Sequence, residues 1–288
     1  MNNHHQQQYV NSSIWLGKKP LARLYLWYLR KAPSHPSKLR IVRFLTRSFF
    51  ARGITLQSSS GAVIQINPND LIGQLICTNG AYEPQSLQLA TRLMQPGGTF
   101  LDVGSNFGLY TFTVGMLSGV KCLAIDASPH AFVQLTRNAN LNPSASVTMV
   151  NIAVGSESGF VQLETPSSDN LGSTRVNTAQ LNKLFGHFTS CLQLRDVLKW
   201  ADVKNIKLMK IDIEGAEYNA FLGLFGEAGF YPENIIMEYN VQLGLPDSAL
   251  EKCEKLLRHH GYAPWTVTEK PILNFADIPE ANVWWRRR

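Results

Sequence analysis

At 288 residues, with 44% hydrophobic side chains and six tryptophans, the chain is long enough for one α/β domain with additions, or for two small domains, and too apolar to be disordered. Its formal net charge of +6 is unevenly spread: residues 1–69 carry ten Lys/Arg and no Asp or Glu, whereas the remaining 219 carry 17 basic and 21 acidic side chains. Four scattered cysteines without a Cys-x-x-Cys pair argue against a zinc site or a disulfide scaffold. No apolar run reaches the roughly 18–20 residues of a membrane span, and no signal-peptide pattern is present, so a cytoplasmic protein is expected.

Residues 1–13 are polar and read as a loose tail. Residues 14–31 interleave Trp15, Leu16, Leu21, Leu24 and Trp27 with Lys and Arg, which predicts an amphipathic helix stopped before Pro33; residues 39–50 predict a second. Residues 14–60 therefore read as a basic helical extension. Either its apolar face caps the domain, or residues 14–52 touch an anionic membrane surface, RNA or a partner. The main domain is expected over 61–288. It opens with an alternating strand at 61–66, followed by strands at 99–103, 121–126, 147–152, 206–212, 234–239 and 262–267. Helices are expected near 83–94, 107–118, 129–141, 214–225 and 247–260. This alternation predicts βαβ units, hence a mostly parallel sheet flanked by helices. The rhythm breaks at 153–195: a hairpin turn at 155–159 joining 151–154 to 160–164, a polar loop at 165–182 whose length suggests function, a short strand at 191–194 and a helix at 195–200.

Ligands of such sheets bind outside the carboxyl ends of the strands. The strand at 99–103 ends in Asp102 and runs into a glycine turn, Gly104-Ser105-Asn106-Phe107-Gly108, before a helix. Glycines let the backbone approach a ligand closely, and the helix start offers free N–H groups. The spacing D-x-G-x-x-x-G differs from the G-x-G-x-x-G of dinucleotide folds and is typical of S-adenosylmethionine cradles. Asp126, with Ala127 after it, ends the second strand where an acid accepts ribose hydroxyls. Asn151 and Ala153 end the third and suit an adenine. Asp212, Glu214 and Glu217 follow the fourth, and Glu238 ends the fifth. Acids at four strand ends suit a cationic or polyhydroxylated ligand.

The chain resembles the FkbM-type family of S-adenosylmethionine-dependent methyltransferases. The matching pieces are Gly80-Ala-Tyr82-Glu83-Pro84, the stretch from Pro96 through Asp102, Gly104, Asn106 and Gly108 to Thr111, Ala124-Ile-Asp126-Ala-Ser-Pro129, Asn138-Ala-Asn140-Leu-Asn142, Asn151-Ile-Ala153-Val-Gly155, and Lys210-Ile-Asp212-Ile-Glu214-Gly-Ala-Glu217. They span about residues 70–240. Two departures are visible: the second strand ends Ile125-Asp126-Ala127-Ser128-Pro129, with one extra residue before the proline, where the family often has Phe-Glu-Pro, and the basic, aromatic N-terminus lies outside the matching region. The resemblance implies a Rossmann-like class I methyltransferase with a seven-strand-type sheet. It implies methyl transfer from S-adenosylmethionine to a hydroxyl of a sugar, glycoconjugate or polyketide-like metabolite. A sugar hydroxyl needs a base, and Asp212 or Glu214 is expected to serve, with His187 as a lesser alternative. Tyr82 and Glu83 would hold the methionine end. Ser173, Thr174, Arg175, His187, Glu217 and Glu238 are candidates for the acceptor side. The carboxylates also permit Mg²⁺, but no metal site is favoured. Rival readings are a nucleic-acid methyltransferase using the basic N-terminus, an NAD(P)-dependent oxidoreductase, and a membrane-attached protein with the fold but no activity. No Asp/Asn-Pro-Pro-aromatic motif or nucleophilic Cys motif supports the first, and the glycine spacing argues against the second. The oligomeric state is not readable.

Overall fold

The computed structural model of the chain describes residues 14–33, 35, 37–164, 175–177, 187–226, 229–239, 247–275 and 281–288. The extension opens with strand β1 (Trp15–Gly17), helices α1 (Pro20–Lys31) and α2 (Lys38–Phe49), and strands β2 (Ile54–Ser58) and β3 (Val63–Ile66). Both expected helices are present, but the first begins only at Pro20: Trp15–Gly17, expected within it, is β1, which forms an antiparallel sheet with β2 and β3. The β2–β3 hairpin crosses the boundary expected at residue 61, and Trp15, Leu26, Ile54 and Leu56 share one core cluster with Phe107, Phe112, Ala124 and Leu135. The extension is thus packed into the domain.

Two side-chain devices fix it there. Helix α3 (Leu71–Asn79), which the hydrophobic pattern did not single out, ends with carbonyls that need donors. The Arg30 guanidinium supplies them, donating to Cys77 O at 2.8 Å, to Ile76 O at 2.9 Å and to Trp15 O at 3.2 Å. The outer edge of β3 is closed by asparagines one helical turn apart on α6 (Pro129–Leu141) and its C-cap. Asn138 Oδ1 accepts from Gln65 N and Asn142 Oδ1 from Val63 N, both at 2.8 Å. They stand in for a neighbouring strand, which covers an edge otherwise open to pairing.

After helix α4 (Pro84–Met94) comes β4 (Gly98–Val103), the centre of the main sheet. The chain proceeds through α5 (Leu109–Gly115), β5 (Val120–Ile125), α6 and β6 (Ser146–Val150) in one direction. A four-stranded excursion follows: β7 (Ala153–Val154), β8 (Gly159–Glu164), β9 (Arg175–Asn177) and β10 (His187–Leu192). The chain then returns through α7 (Leu194–Trp200) to β11 (Leu208–Ile211) on the other side of β4, and continues with α8 (Glu217–Leu224), β12 (Asn234–Glu238), α9 (Asp247–His259), β13 (Tyr262–Thr266) and β14 (Asn282–Arg287). The seven-stranded order is β13-β14-β12-β11-β4-β5-β6, parallel except that β14 runs antiparallel to both neighbours. The central strands are buried on both faces, as Leu208, Met209, Ile211, Leu101 and Val103 at 0% exposure show, and accordingly read as continuous apolar runs.

Two expectations are corrected. The hairpin between 151–154 and 160–164 does not form: β10 lies between β7 and β8, parallel to the first and antiparallel to the second. Residues 187–190, beyond the loop expected at 165–182 and given no strand, extend the short strand expected at 191–194 backwards. Within the loop expected at 165–182, Arg175–Asn177 form β9; its other residues, Ser173 and Thr174 among them, lie outside the described residues.

Candidate functional site

The chain leaves β4 in one direction and later returns to the other side of it, so the carboxyl ends of β4 and β11 form a switch point, where open α/β sheets bind ligands. A cleft of about 290 Å³ opens there. Its floor is the glycine turn, forced by close packing. Gly104 has φ +79°, and a Cβ on it would lie 1.8 Å from the Asp212 carbonyl oxygen. Gly108 has φ +90°, and its Cβ would lie 2.4 Å from the Phe112 ring. Asn138 steadies the turn by donating to Phe107 O at 2.8 Å.

Asp126 sits at the end of β5, almost fully buried. Its Oδ2 accepts from Asn106 N at 2.7 Å and its Oδ1 from Ser128 N at 2.8 Å. Each oxygen keeps a second lone pair, so the carboxylate is oriented yet able to accept two hydroxyls. Burial pushes its pKa up to about 6, against the lowering effect of those two N–H bonds. Asp102 is likewise raised to about 6 by burial, opposed by Thr111, whose hydroxyl donates to Asp102 Oδ2 at 2.5 Å. Ser105 lines the cleft, and its buried Oγ has no protein hydrogen-bond partner.

The other wall is charged. Lys210, on the buried strand β11, is 3% exposed; its ammonium lies 3.1 Å from Asp212 Oδ2 and 5.4 Å from the centroid of the Tyr110 ring. Burial disfavours that charge, but Asp212, Glu83 and Glu238 more than offset it and hold the lysine protonated. Burial raises Asp212 too, yet the Lys210 charge and a hydrogen bond with Glu238 leave its pKa below the ordinary value. Glu238 takes the opposite shift: burial, then the Asp212 charge, push it up to about 9. The two carboxyls are thus driven apart, Asp212 toward its ionised form and Glu238 toward its protonated one. The Tyr110 hydroxyl donates to Glu83 Oε2 at 2.7 Å, and Tyr82, with its pKa raised by burial, lies beside Glu83 on the cleft.

Three non-glycine residues lining the cleft have left-handed backbones: Glu83 (φ 46°), Asn106 (φ 49°) and Glu214 (φ 54°). Such conformations cost about 1 kcal/mol or more each and persist where the surroundings over-determine them.

The structure brings Tyr82, Glu83, Asp102, Gly104, Ser105, Asn106, Asp126, Ala127, Ala153, Asp212, Glu214 and Glu238 to the cleft lining. It places five candidates otherwise: Gly108 caps α5 and is not among the residues lining the cleft, and four more lie elsewhere. The Asn151 amide donates to Asp126 O at 2.7 Å and braces the acid's backbone; the residue does not line the cleft. Glu217 is buried, with Oε1 accepting from Ile213 N at 3.0 Å and Gly215 N at 3.2 Å, so it holds the turn after β11. His187 is an exposed residue of β10, away from the cleft lining. Arg175 lies on β9, paired in register with Glu164; its neighbour Val176 lines the cleft. Sequence reasoning missed Lys210, Tyr110 and Asn138 as site residues. For Lys210 the signal was available: a lone cation inside an apolar parallel strand needs a buried counter-charge. Among the described residues, no group of three or more His, Cys, Asp and Glu is placed to hold a metal ion. No helix among them is long and apolar enough to cross a membrane.

The strand order with its antiparallel β14, the glycine turn and the acid at the end of β5 define a class I methyltransferase domain. The sequence profile of the methyltransferase FkbM domain matches residues 102–264, and the chain belongs to that family. It is a methyltransferase that uses S-adenosylmethionine. Asp126 fits the ribose hydroxyls, and the unpartnered Ser105 Oγ and the Gly104–Gly108 turn fit the close approach of that group. Among solved structures, the chain is similar to a putative caffeoyl-CoA O-methyltransferase from Staphylococcus aureus (9% identity, TM-score 0.42, covering 69% of this chain and 81% of that one). It is also similar to an O-methyltransferase from Bacillus cereus in complex with SAH (10% identity, TM-score 0.41, covering 85% and 96%). No curated protein matches the chain in sequence.

Proposed function

We propose that the chain methylates a hydroxyl of a sugar, glycoconjugate or polyketide-like metabolite. S-adenosylmethionine, when bound, supplies a methyl group made electrophilic by its sulfonium. The chain's own residues must align the acceptor and take up its proton. The observation that carries this reading is the row of carboxyls at the ends of β11 and β12. Asp212, Glu214 and Glu238 all line one cleft, and carboxylates there can orient several hydroxyls of one acceptor. Leu163 and Val176 offer apolar contact on the same cleft. Of the two candidates for the base, Glu214 is the better. The Asp212 charge is engaged by Lys210 and Glu238, which weakens it as a base. Glu214 sits on the cleft in a left-handed backbone, a conformation that clusters at functional sites.

The test screens glycosides and macrolide-type alcohols with S-adenosylmethionine by mass shift, comparing the parent with Glu214→Gln. The parent is expected to methylate a hydroxyl. The variant should lose about 10²–10⁴-fold in kcat while binding S-adenosylhomocysteine as before. Products methylated only on nitrogen or carboxyl groups would overturn the hydroxyl reading, and full activity in the variant would overturn the role of Glu214.

A further inference from the structure

We propose that the outward face of the N-terminal extension seats the protein on an anionic phospholipid surface. Helix α1 has two faces. Ala22, Tyr25 and Leu26 are buried against the domain, while Leu21, Leu24 and Trp27, at i, i+3 and i+6, point outward and are 46%, 62% and 58% exposed. Leu16 on β1 (57%), Phe44 on α2 (63%) and Phe49 at the end of α2 (55%) add to the exposed apolar surface of the extension. Single exposed apolar side chains are ordinary, but this many large ones in one short segment mark an interaction surface. The expected choice between a cap and a contact surface is therefore not exclusive: the inner face caps, and the outer face remains free to engage.

Charge decides the occupant. Lys18, Lys19, Arg23, Arg40, Arg43 and Arg47 are exposed around these apolar residues, and no acid occurs before Asp70. Exposed Trp, Leu and Phe side chains interspersed along the segment with exposed cations match a bilayer interface of anionic headgroups over acyl chains. A second copy of the chain would set the same cations against one another. Nucleic acid would satisfy the cations but leave the leucines Leu16, Leu21 and Leu24 against phosphate and water.

The test is flotation of the full chain with vesicles of phosphatidylglycerol and phosphatidylcholine, beside vesicles of phosphatidylcholine alone and a labelled RNA. Two variants are compared with the parent: Leu24→Glu/Trp27→Glu, and Arg40→Glu/Arg43→Glu/Arg47→Glu. Thermal melts report whether each is folded, and Leu24→Ser/Trp27→Ser replaces the first if it is not. Binding to the anionic vesicles only is expected. The arginine variant should lose at least about a hundredfold, since each of the three cations contributes about fivefold near an anionic surface and the three glutamates add repulsion. The apolar variant should lose at least about tenfold, and high salt should release the parent. Trp27 emission should shift to the blue on binding, a change missing in Trp27→Phe. Absence of vesicle binding at low salt, binding equal in parent and both variants, or binding to RNA in place of vesicles would each overturn the proposal.

Discussion

Replacing Asp126 with Asn and following affinity for S-adenosylhomocysteine from about pH 5 to about pH 7.5 tests the cofactor cradle. Burial places the Asp126 pKa near 6. At about pH 7.5 the carboxylate is almost fully ionised, and at about pH 5 only about one-tenth remains so. Two backbone N–H groups already hold its oxygens, at 2.7 and 2.8 Å, so ionisation adds acceptor strength with no rearrangement. If the ionised form binds the ribose hydroxyls, affinity in the parent falls about tenfold, about 1.4 kcal/mol, on acidification. Ligand-free stability moves the other way. A carboxyl whose folded pKa is raised favours the folded state most below its unfolded value, near 4, and loses that contribution as pH rises to about 6. Cofactor affinity should thus rise over the interval in which the Asp126 contribution to the ligand-free melt falls. The Asn variant should bind more weakly at about pH 7.5, with a pH slope shallower by one proton; Asp102, also near 6, can supply what slope remains. Calorimetric titration reads both quantities. A parent affinity constant across this range, or a variant as steep as the parent, would refute the reasoning.

Three further outcomes follow from the geometry. Lys210→Met leaves the buried Asp212 without its counter-charge and should cost about 3–5 kcal/mol of stability in urea titrations near neutral pH; a loss below about 1 kcal/mol would mean that Asp212 is solvated after all. Gly104→Ala drives a Cβ to 1.8 Å from the Asp212 carbonyl oxygen at φ +79°, and is expected to destroy cofactor binding and lower the melting temperature, whereas Gly159→Ala, with nothing within 4 Å, should leave both unchanged. Glu217→Ala removes the acceptor of two N–H groups and should cost about 1–3 kcal/mol per donor left buried and unpaired; unaltered stability with a raised KM for the acceptor would restore it to the substrate side.

Where residues act through local spacing, the sequence was readable. The turn from Asp102 to Gly108 and the strand ends at Asp126, Asp212 and Glu238 follow from one chain segment meeting one sheet edge, so their place on the cleft could be anticipated. Roles set by distant partners could not. Asn151 has the amide expected for a base contact, but it is taken up by Asp126 O, and nothing near Asn151 in sequence says so. Glu217 lies one helical turn beyond Glu214 yet folds back onto Ile213 and Gly215. Strand β14 was missed because its register, with Trp285 opposite Ile235 and Pro264, is written nowhere near residue 282, and its arginines look like a charge run. The asparagines of α6 were visible as a motif, but their work on the β3 edge depends on chain more than 70 residues earlier.

The position of β14 also bears on the order in which the molecule can be completed. In the seven-stranded sheet, β5, β6, β11 and β12 can each add to a neighbour made before it. Strand β13 cannot: it reaches the sheet only through β14, which is made later and inserts between β12 and β13. Until those last residues are available, β12 is an open edge carrying Ile235, Ile236 and Met237, all fully buried in the finished fold, with unpaired backbone groups along it. Such an edge invites pairing with another chain. The nascent chain therefore carries an adhesive edge after β12 is made, and covers it only with the last strand of this sheet.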